Sequence, residues 1–180
     1  MKTRGNIKAN VGAVLALIGA ALIVVIDQVS KMLIVDNLKV EGNSVTVIDG
    51  LLNFTLSYND GMAFGIGSST FRWIFVAIMA VVGAVLVYLM FNPKYDNKLF
   101  FAASALVIGG GIGNAIDRVL NGYVVDFLAL SFFPPICNIA DYAITLGTVL
   151  LLIYVIFVYG KKDKKEMINE PVEFVADKDE

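Results

Sequence analysis

The sequence predicts a membrane α-helical protein: four transmembrane helices with a small extracytoplasmic β element between helices 1 and 2. Three observations carry that expectation. First, 58% of the residues are hydrophobic and the mean hydropathy is +0.76. A soluble domain is roughly 45–50% apolar even with glycine counted. Second, apolar stretches of membrane-crossing length recur along the chain, with 16 glycines suited to close helix packing in lipid. Third, most of the basic residues fall on one side of a four-span path.

The first span occupies residues 11–26, uncharged, and continues past Asp27 into Met32, Leu33, Ile34 and Val35 to reach full length. Its basic start and apolar centre have the outline of a signal peptide. Asp27 and Gln28 follow the apolar run where a small-x-small cleavage site belongs, so the segment reads as a retained helix. Residues 44–48 are rich in β-branched side chains and precede the hairpin dipeptide Asp49-Gly50. Residues 53–58 alternate polar and apolar, the period of a half-buried strand. Residues 73–91 form a clean second span, and residues 99–116 a third, interrupted by Gly109, Gly110, Gly111 and Asn114. Pro134-Pro135 forbids a continuous helix beyond it. The fourth span covers residues 143–159 and extends backwards through 138–142. Residues 1–160 are expected to form a single integral membrane domain, and residues 161–180 a polar cytoplasmic tail of mixed charge.

Lys2, Arg4 and Lys8 precede span one, Lys94 and Lys98 separate spans two and three, and Lys161, Lys162, Lys164 and Lys165 follow span four. The opposite loops hold Lys39, with Arg72 at a helix mouth. The positive-inside rule then places both termini in the cytoplasm and Asp27, Asn59, Asp126 and Asp141 at the outer face. A net charge of -2 leaves no nucleic-acid footprint. The absence of histidine removes His-based zinc sites, Ser-His triads and Cys-His dyads, and Cys137 is alone, so no intrachain disulfide forms.

Asp126 and Asp141 are the leading candidates for chemistry. Carboxylates at a bilayer boundary are costly to keep ionised, and neither has a basic neighbour within seven positions. The chain leaves span three, presents Asp126, turns at the prolines and re-enters with Asp141, a path that can bring the two carboxyls face to face. Close carboxyls share a proton, so one can act as base on water while the other donates to a carbonyl oxygen. Peptide hydrolysis needs both steps and no metal. Two acids near one surface can equally bind a cation through oxygen ligands. Asp27 and Lys31 are spaced for one helix face, as are Asn114, Asp117 and Arg118, and Asn138 with Asp141. The pairs Asp27/Lys31 and Asp117/Arg118 read as neutralised charges at helix ends. Ser30-Lys31 offers a Ser/Lys alternative, but adjacent helical residues do not face each other. A proton- or cation-binding transporter is the non-enzyme alternative, and no internal repeat supports it.

Four polar blocks occur in a telling order: Asp27-Gln28-Val29-Ser30-Lys31, then Tyr58-Asn59-Asp60-Gly61-Met62-Ala63-Phe64-Gly65. Gly113-Asn114-Ala115-Ile116-Asp117-Arg118 follows, with Gly122-Tyr123-Val124-Val125-Asp126-Phe127, and then Asn138-Ile139-Ala140-Asp141. In this order and topology the chain resembles the bacterial lipoprotein signal peptidase (signal peptidase II) family up to about Tyr159. The resemblance implies a catalytic dyad at Asp126 and Asp141. It implies site-lining or substrate-contacting roles for Asn59, Gly61, Ala63, Phe64, Asn114, Arg118 and Asn138, and a supporting role for Asp27, Lys31 and Asp117. It further implies a monomer in the bacterial plasma membrane, without cofactor or metal; separately, the strand-like residues 53–58 and the loop over residues 59–65 are expected to form a lid or cradle over the site. The implied substrate is a prolipoprotein signal peptide with a diacylglyceryl group on its cysteine, held by membrane lipid and cut just before that cysteine. Cys137 departs from the family's usual aromatic residue, and Gly111 stands where alanine is common.

Overall fold

The computed structural model of the protein describes residues 2–61 and 68–160. The chain runs α1 (Lys2–Leu38), β1 (Ser44–Ile48), β2 (Leu52–Asn59), α2 (Ser68–Met90), a 3-10 turn (Pro93–Tyr95) and α3 (Lys98–Leu120). It continues as β3 (Val124–Leu130), β4 (Phe133–Cys137) and α4 (Ile139–Ile153), whose last turns are π-helical (Tyr154–Tyr159). Among the described residues, four segments are long and apolar enough to cross a membrane: Val11–Leu38, Arg72–Met90, Lys98–Leu120 and Ile139–Tyr159. The tail beyond residue 160, Ala63 and Phe64 lie outside the described residues.

Helix α1 runs through Asp27 without a break because Lys31, one turn on, neutralises it at 2.7 Å. Helix α3 is also unbroken, where the glycines led the sequence to suggest an interruption. Their role is packing. A Cβ on Gly109 would meet Ala20 O of α1 at 2.7 Å, on Gly110 Ala140 O of α4 at 2.5 Å, and on Gly113 Asp27 Oδ2 at 2.7 Å. Gly147 answers from α4, where a Cβ would meet Ala103 O at 2.8 Å. Apolar side chains gain little by leaving lipid for one another, so close backbone approach is the principal source of cohesion. Helix α3 is accordingly the central helix, 67% buried over its apolar window against 11–22% for the other three.

The β element is larger than the sequence suggested. Besides β1 and β2, residues 124–137 form a second hairpin, and the strands make one antiparallel sheet in the order β1-β2-β3-β4. Prolines 134 and 135, which forbid a continuous helix, lie in β4, an edge strand where a missing N–H is tolerated. One face of β2 and β3 turns Leu56, Val125 and Phe127 onto Ile34, with Val35 and Leu38 of the last turns of α1 alongside. Phe54 and Phe127 meet edge to face at 5.6 Å. Strand alternation sends Ser57, Asn59 and Asp126 to the other face.

Gly110→Ala should therefore lower the thermal midpoint of the detergent-solubilised protein, since an added methyl in packed contact costs about 1–3 kcal/mol. Gly83→Ala, where a Cβ meets nothing within 4 Å, should leave it unchanged or slightly higher. Equal effects of the two substitutions would contradict the packing role.

Candidate active site

Strand β3 carries Asp126 opposite Ser57 of β2. Asn59, two residues along β2, is the diagonal same-face neighbour of that pair. Its Nδ2 donates to Asp126 Oδ2 at 2.9 Å, while its Oδ1 accepts from Gly61 N at 3.0 Å. That local turn uses Gly61 at φ +75°, a left-handed conformation that other residues adopt only with strain.

Asp141 arrives from the other direction. Asn138 is the N-cap of α4, and its Oδ1 accepts from Asp141 N at 2.9 Å. Asp141 Oδ2 accepts in return from Asn138 N at 3.1 Å, closing a reciprocal capping box. The Nδ2 of Asn138 then reaches Asp126 Oδ1 at 2.6 Å and Asn114 Oδ1 at 3.1 Å. Asn114 Nδ2 donates to Asp141 Oδ1 at 2.8 Å. One asparagine thus holds Asp126 through its side chain and Asp141 through its cap.

The orientation of each amide follows from a partner that can act only one way. Backbone N–H groups donate to Asn59 Oδ1 and Asn138 Oδ1, and the Lys31 ammonium donates to Asn114 Oδ1 at 2.9 Å. In all three cases the oxygen is committed, so the NH2 group is left to face a carboxylate.

Beneath this layer Lys31 is buried, 3% exposed, with three acceptors for three N–H bonds: Asp27 at 2.7 Å, Asp117 at 2.9 Å and Asn114. Asp27 Oδ1 also accepts from Ala140 N at 3.0 Å, in the first turn of α4. Asp117 Oδ2 accepts from Val125 N at 3.2 Å, beside Asp126. The expected Asp27/Lys31 pair is present. The expected Asp117/Arg118 pair is not, because Asp117 turns to Lys31. Arg118 instead donates to Asn114 O at 3.2 Å and lies over the Phe75 ring at 5.2 Å. Gln28, which the sequence showed beside Asp27 without a role, bridges Asp117 Oδ1 at 3.0 Å and Gly113 O at 3.1 Å.

A cavity of about 560 Å³ opens over Asp126, and Asp141 is tied to its edge through Asn138. Asp126, Asn59, Gly61 and Arg118 line it, with Ser57, Phe75 and Pro135, which sequence reasoning did not single out. Ser57 was legible only through strand register, and Phe75 and Pro135 only through tertiary packing. Burial pushes the Asp126 carboxyl up to about 6. The hydrogen bond from Asn59 opposes that rise, the nearby charge of Asp141 adds to it, and Asn138 and Lys31 oppose it further.

Described residues from all four polar blocks join in one hydrogen-bond network beside this cavity, and a family model described as signal peptidase (SPase) II matches residues 19–157. The chain belongs to the signal peptidase II family. It is 46% identical over 148 residues to a lipoprotein signal peptidase of Lactobacillus johnsonii, covering 82% of this chain and 95% of that one. With the protein of that name from Lactobacillus gasseri it shares 48% over 149 residues, 82% and 96% of the respective chains. With that of Listeria monocytogenes serotype 4b it shares 39% over 145 residues, 79% and 92%. Two solved structures of a bacterial membrane enzyme superpose with a TM-score of 0.71. One is 34% identical, covering 88% of this chain and 94% of its own, and the other 36% identical, covering 80% and 94%. As a member of the signal peptidase II family the protein is an aspartic-type peptidase, a hydrolase, and a membrane protein.

In this signal peptidase II fold Lys31→Met should cost about 3–5 kcal/mol of stability, since it strands two buried carboxylates without a counter-charge. The measurement is the thermal midpoint and folded yield in detergent. A variant as stable as the parent would show that the Lys31 knot is dispensable.

Proposed function

We propose that the protein is a membrane aspartic endopeptidase that removes signal peptides from diacylglyceryl-modified prolipoproteins, cutting before the lipidated cysteine. Asp126 and Asp141 would activate the water. The observation that carries this reading is the clasp of Asn138, which bonds both carboxyls beside the cavity that Asp126 lines, while burial raises Asp126 to about 6.

Near neutral pH Asp126 then carries a proton for part of the population. Both Asp126 oxygens accept from amides, so a proton placed there lacks an acceptor within the clasp, and the scissile carbonyl oxygen supplies one. Asp141 takes a proton from water as the water oxygen adds to the carbonyl carbon, and Asp126 gives its proton to the carbonyl oxygen. The tetrahedral diol collapses when Asp141 returns its proton to the departing amine and Asp126 takes one from a diol hydroxyl. The C–N bond breaks and both carboxyls regain their starting states. Arg118 and Asn59, on the cavity wall, are placed to hold substrate carbonyls. The lipid anchor keeps the scissile bond in the plane of the membrane, which gives proximity that a soluble substrate lacks. The sheet and the site sit at the helix ends opposite the Lys94 and Lys98 loop, which supports an extracytoplasmic site and cytoplasmic termini.

Asp126→Asn and Asp141→Asn should each abolish cleavage of a lipidated prolipoprotein in micelles while the thermal transition persists. Turnover like the parent's in either variant would remove the dyad. The pH profile has a definite sign. Because the Asp126 value is raised, its proton is retained at low pH and lost as pH rises through about 6, so kcat/KM should fall along that limb. An activity that rises across the same interval would contradict Asp126 as the acid. Lipidated substrate should be cut in preference to the unlipidated form, and equal rates in a gel-shift assay would take the lipid out of the specificity argument.

A further inference from the structure

The two hairpin tips of the sheet carry apolar side chains that the dyad does not use. Ile48 and Leu51 stand at the β1–β2 tip, Phe132 and Phe133 at the β3–β4 tip, between 41% and 74% exposed. The tips are held side by side, since Ser131 N donates to Leu51 O at 3.0 Å. They point away from the bundle, because the opposite ends of β1, β3 and β4 join α1, α3 and α4. A contiguous apolar patch of this kind marks an interaction surface.

We propose that these tips insert into the membrane leaflet bordering the site, at the level of the lipid glycerol groups and upper acyl chains. Continuity with the lipid-facing helix surface supports lipid as the occupant. The inner face of the sheet packs on Ile34, with Val35 and Leu38 alongside, in the final turns of a membrane-spanning helix. The same turns expose Met32 and Leu33 outward. The sheet is therefore rooted at the depth where α1 leaves the bilayer. The depth of insertion is bounded by backbone chemistry. An open sheet edge cannot enter the hydrocarbon centre with its polar groups unpaired. Exposed Asp49 at one tip sets the same limit. On β4, Pro134 and Pro135 have no N–H to leave unpaired, which suits this edge to the interface. Strands β2 and β3 run from the tips back to Asn59 and Asp126, so lipid contact at the tips sets the height of the cavity against the bilayer.

The test places a single tryptophan at each tip of the full chain, Phe132→Trp and Leu51→Trp, in a Trp73→Phe background reconstituted in phosphatidylcholine–phosphatidylglycerol vesicles. Both tips should give blue-shifted emission. Lipids brominated high in the acyl chain should quench most of it, lipids brominated near the chain end should quench less, and aqueous acrylamide little. Emission typical of water with strong acrylamide quenching would overturn the proposal. So would protection from acrylamide and brominated lipid alike, which would assign the tips to a protein partner such as a second copy. The two variants sit on different hairpins, so misfolding of one, seen as a lost thermal transition, leaves the other to decide.

Discussion

The buried ammonium of Lys31 is the constraint from which the rest of the site follows. A charge at the end of a membrane bundle needs full compensation. Lys31 finds it in Asp27 one turn back and in Asp117 and Asn114 of α3. Each carboxylate can accept further hydrogen bonds beyond the ammonium. Asp27 takes the N–H of Ala140 and so fixes where α4 begins, and Asp117 takes the N–H of Val125 and so fixes where β3 begins. The residues next to those anchor points are Asp141 and Asp126. The Lys31 contact also commits the oxygen of Asn114, which leaves its amide to face Asp141.

The polar knot and the glycine contacts serve one another. Helices in lipid lack the driving force that water supplies between apolar faces, so cohesion comes from close packing and polar ties. Gly110 and Gly113 let α3 approach α4 and α1 closely enough for Lys31, Asn114 and Asn138 to bond across three helices. Polar ties across so short a gap in turn disfavour any sliding of the helices. Helix α2, the one most exposed to lipid, takes little part in this network.

Much of this was legible in the sequence because it depends on local pattern. The spans followed from hydropathy, β2 from alternation between Asn53 and Tyr58, and the Asp27/Lys31 pair from helical spacing. Where local pattern competed with tertiary contacts it misled. Asp117 and Arg118 are neighbours in the chain, yet adjacent helical side chains diverge, and the buried ammonium outbid the partly exposed guanidinium. The glycines of α3 looked like an interruption because their use, contact with two other helices, leaves no trace in one segment. Strands β3 and β4 were hidden because Val124–Leu130 is nearly all apolar and β4 contains two prolines.

By itself the sequence determined the number of spans, the types of residue able to do chemistry and the order in which they appear. With no histidine and a single cysteine, carboxylates were the only strong candidates for hydrolysis. Tertiary structure alone decided that Asp126 and Asp141 share one asparagine as clasp, that Asp126 is buried enough to be raised to about 6, and that Arg118 turns to the cavity. The reason is range. Hydropathy and helical period act over a few residues, while the clasp and the bonds that position its carboxyls join residues 12, 67 and 113 positions apart along the chain.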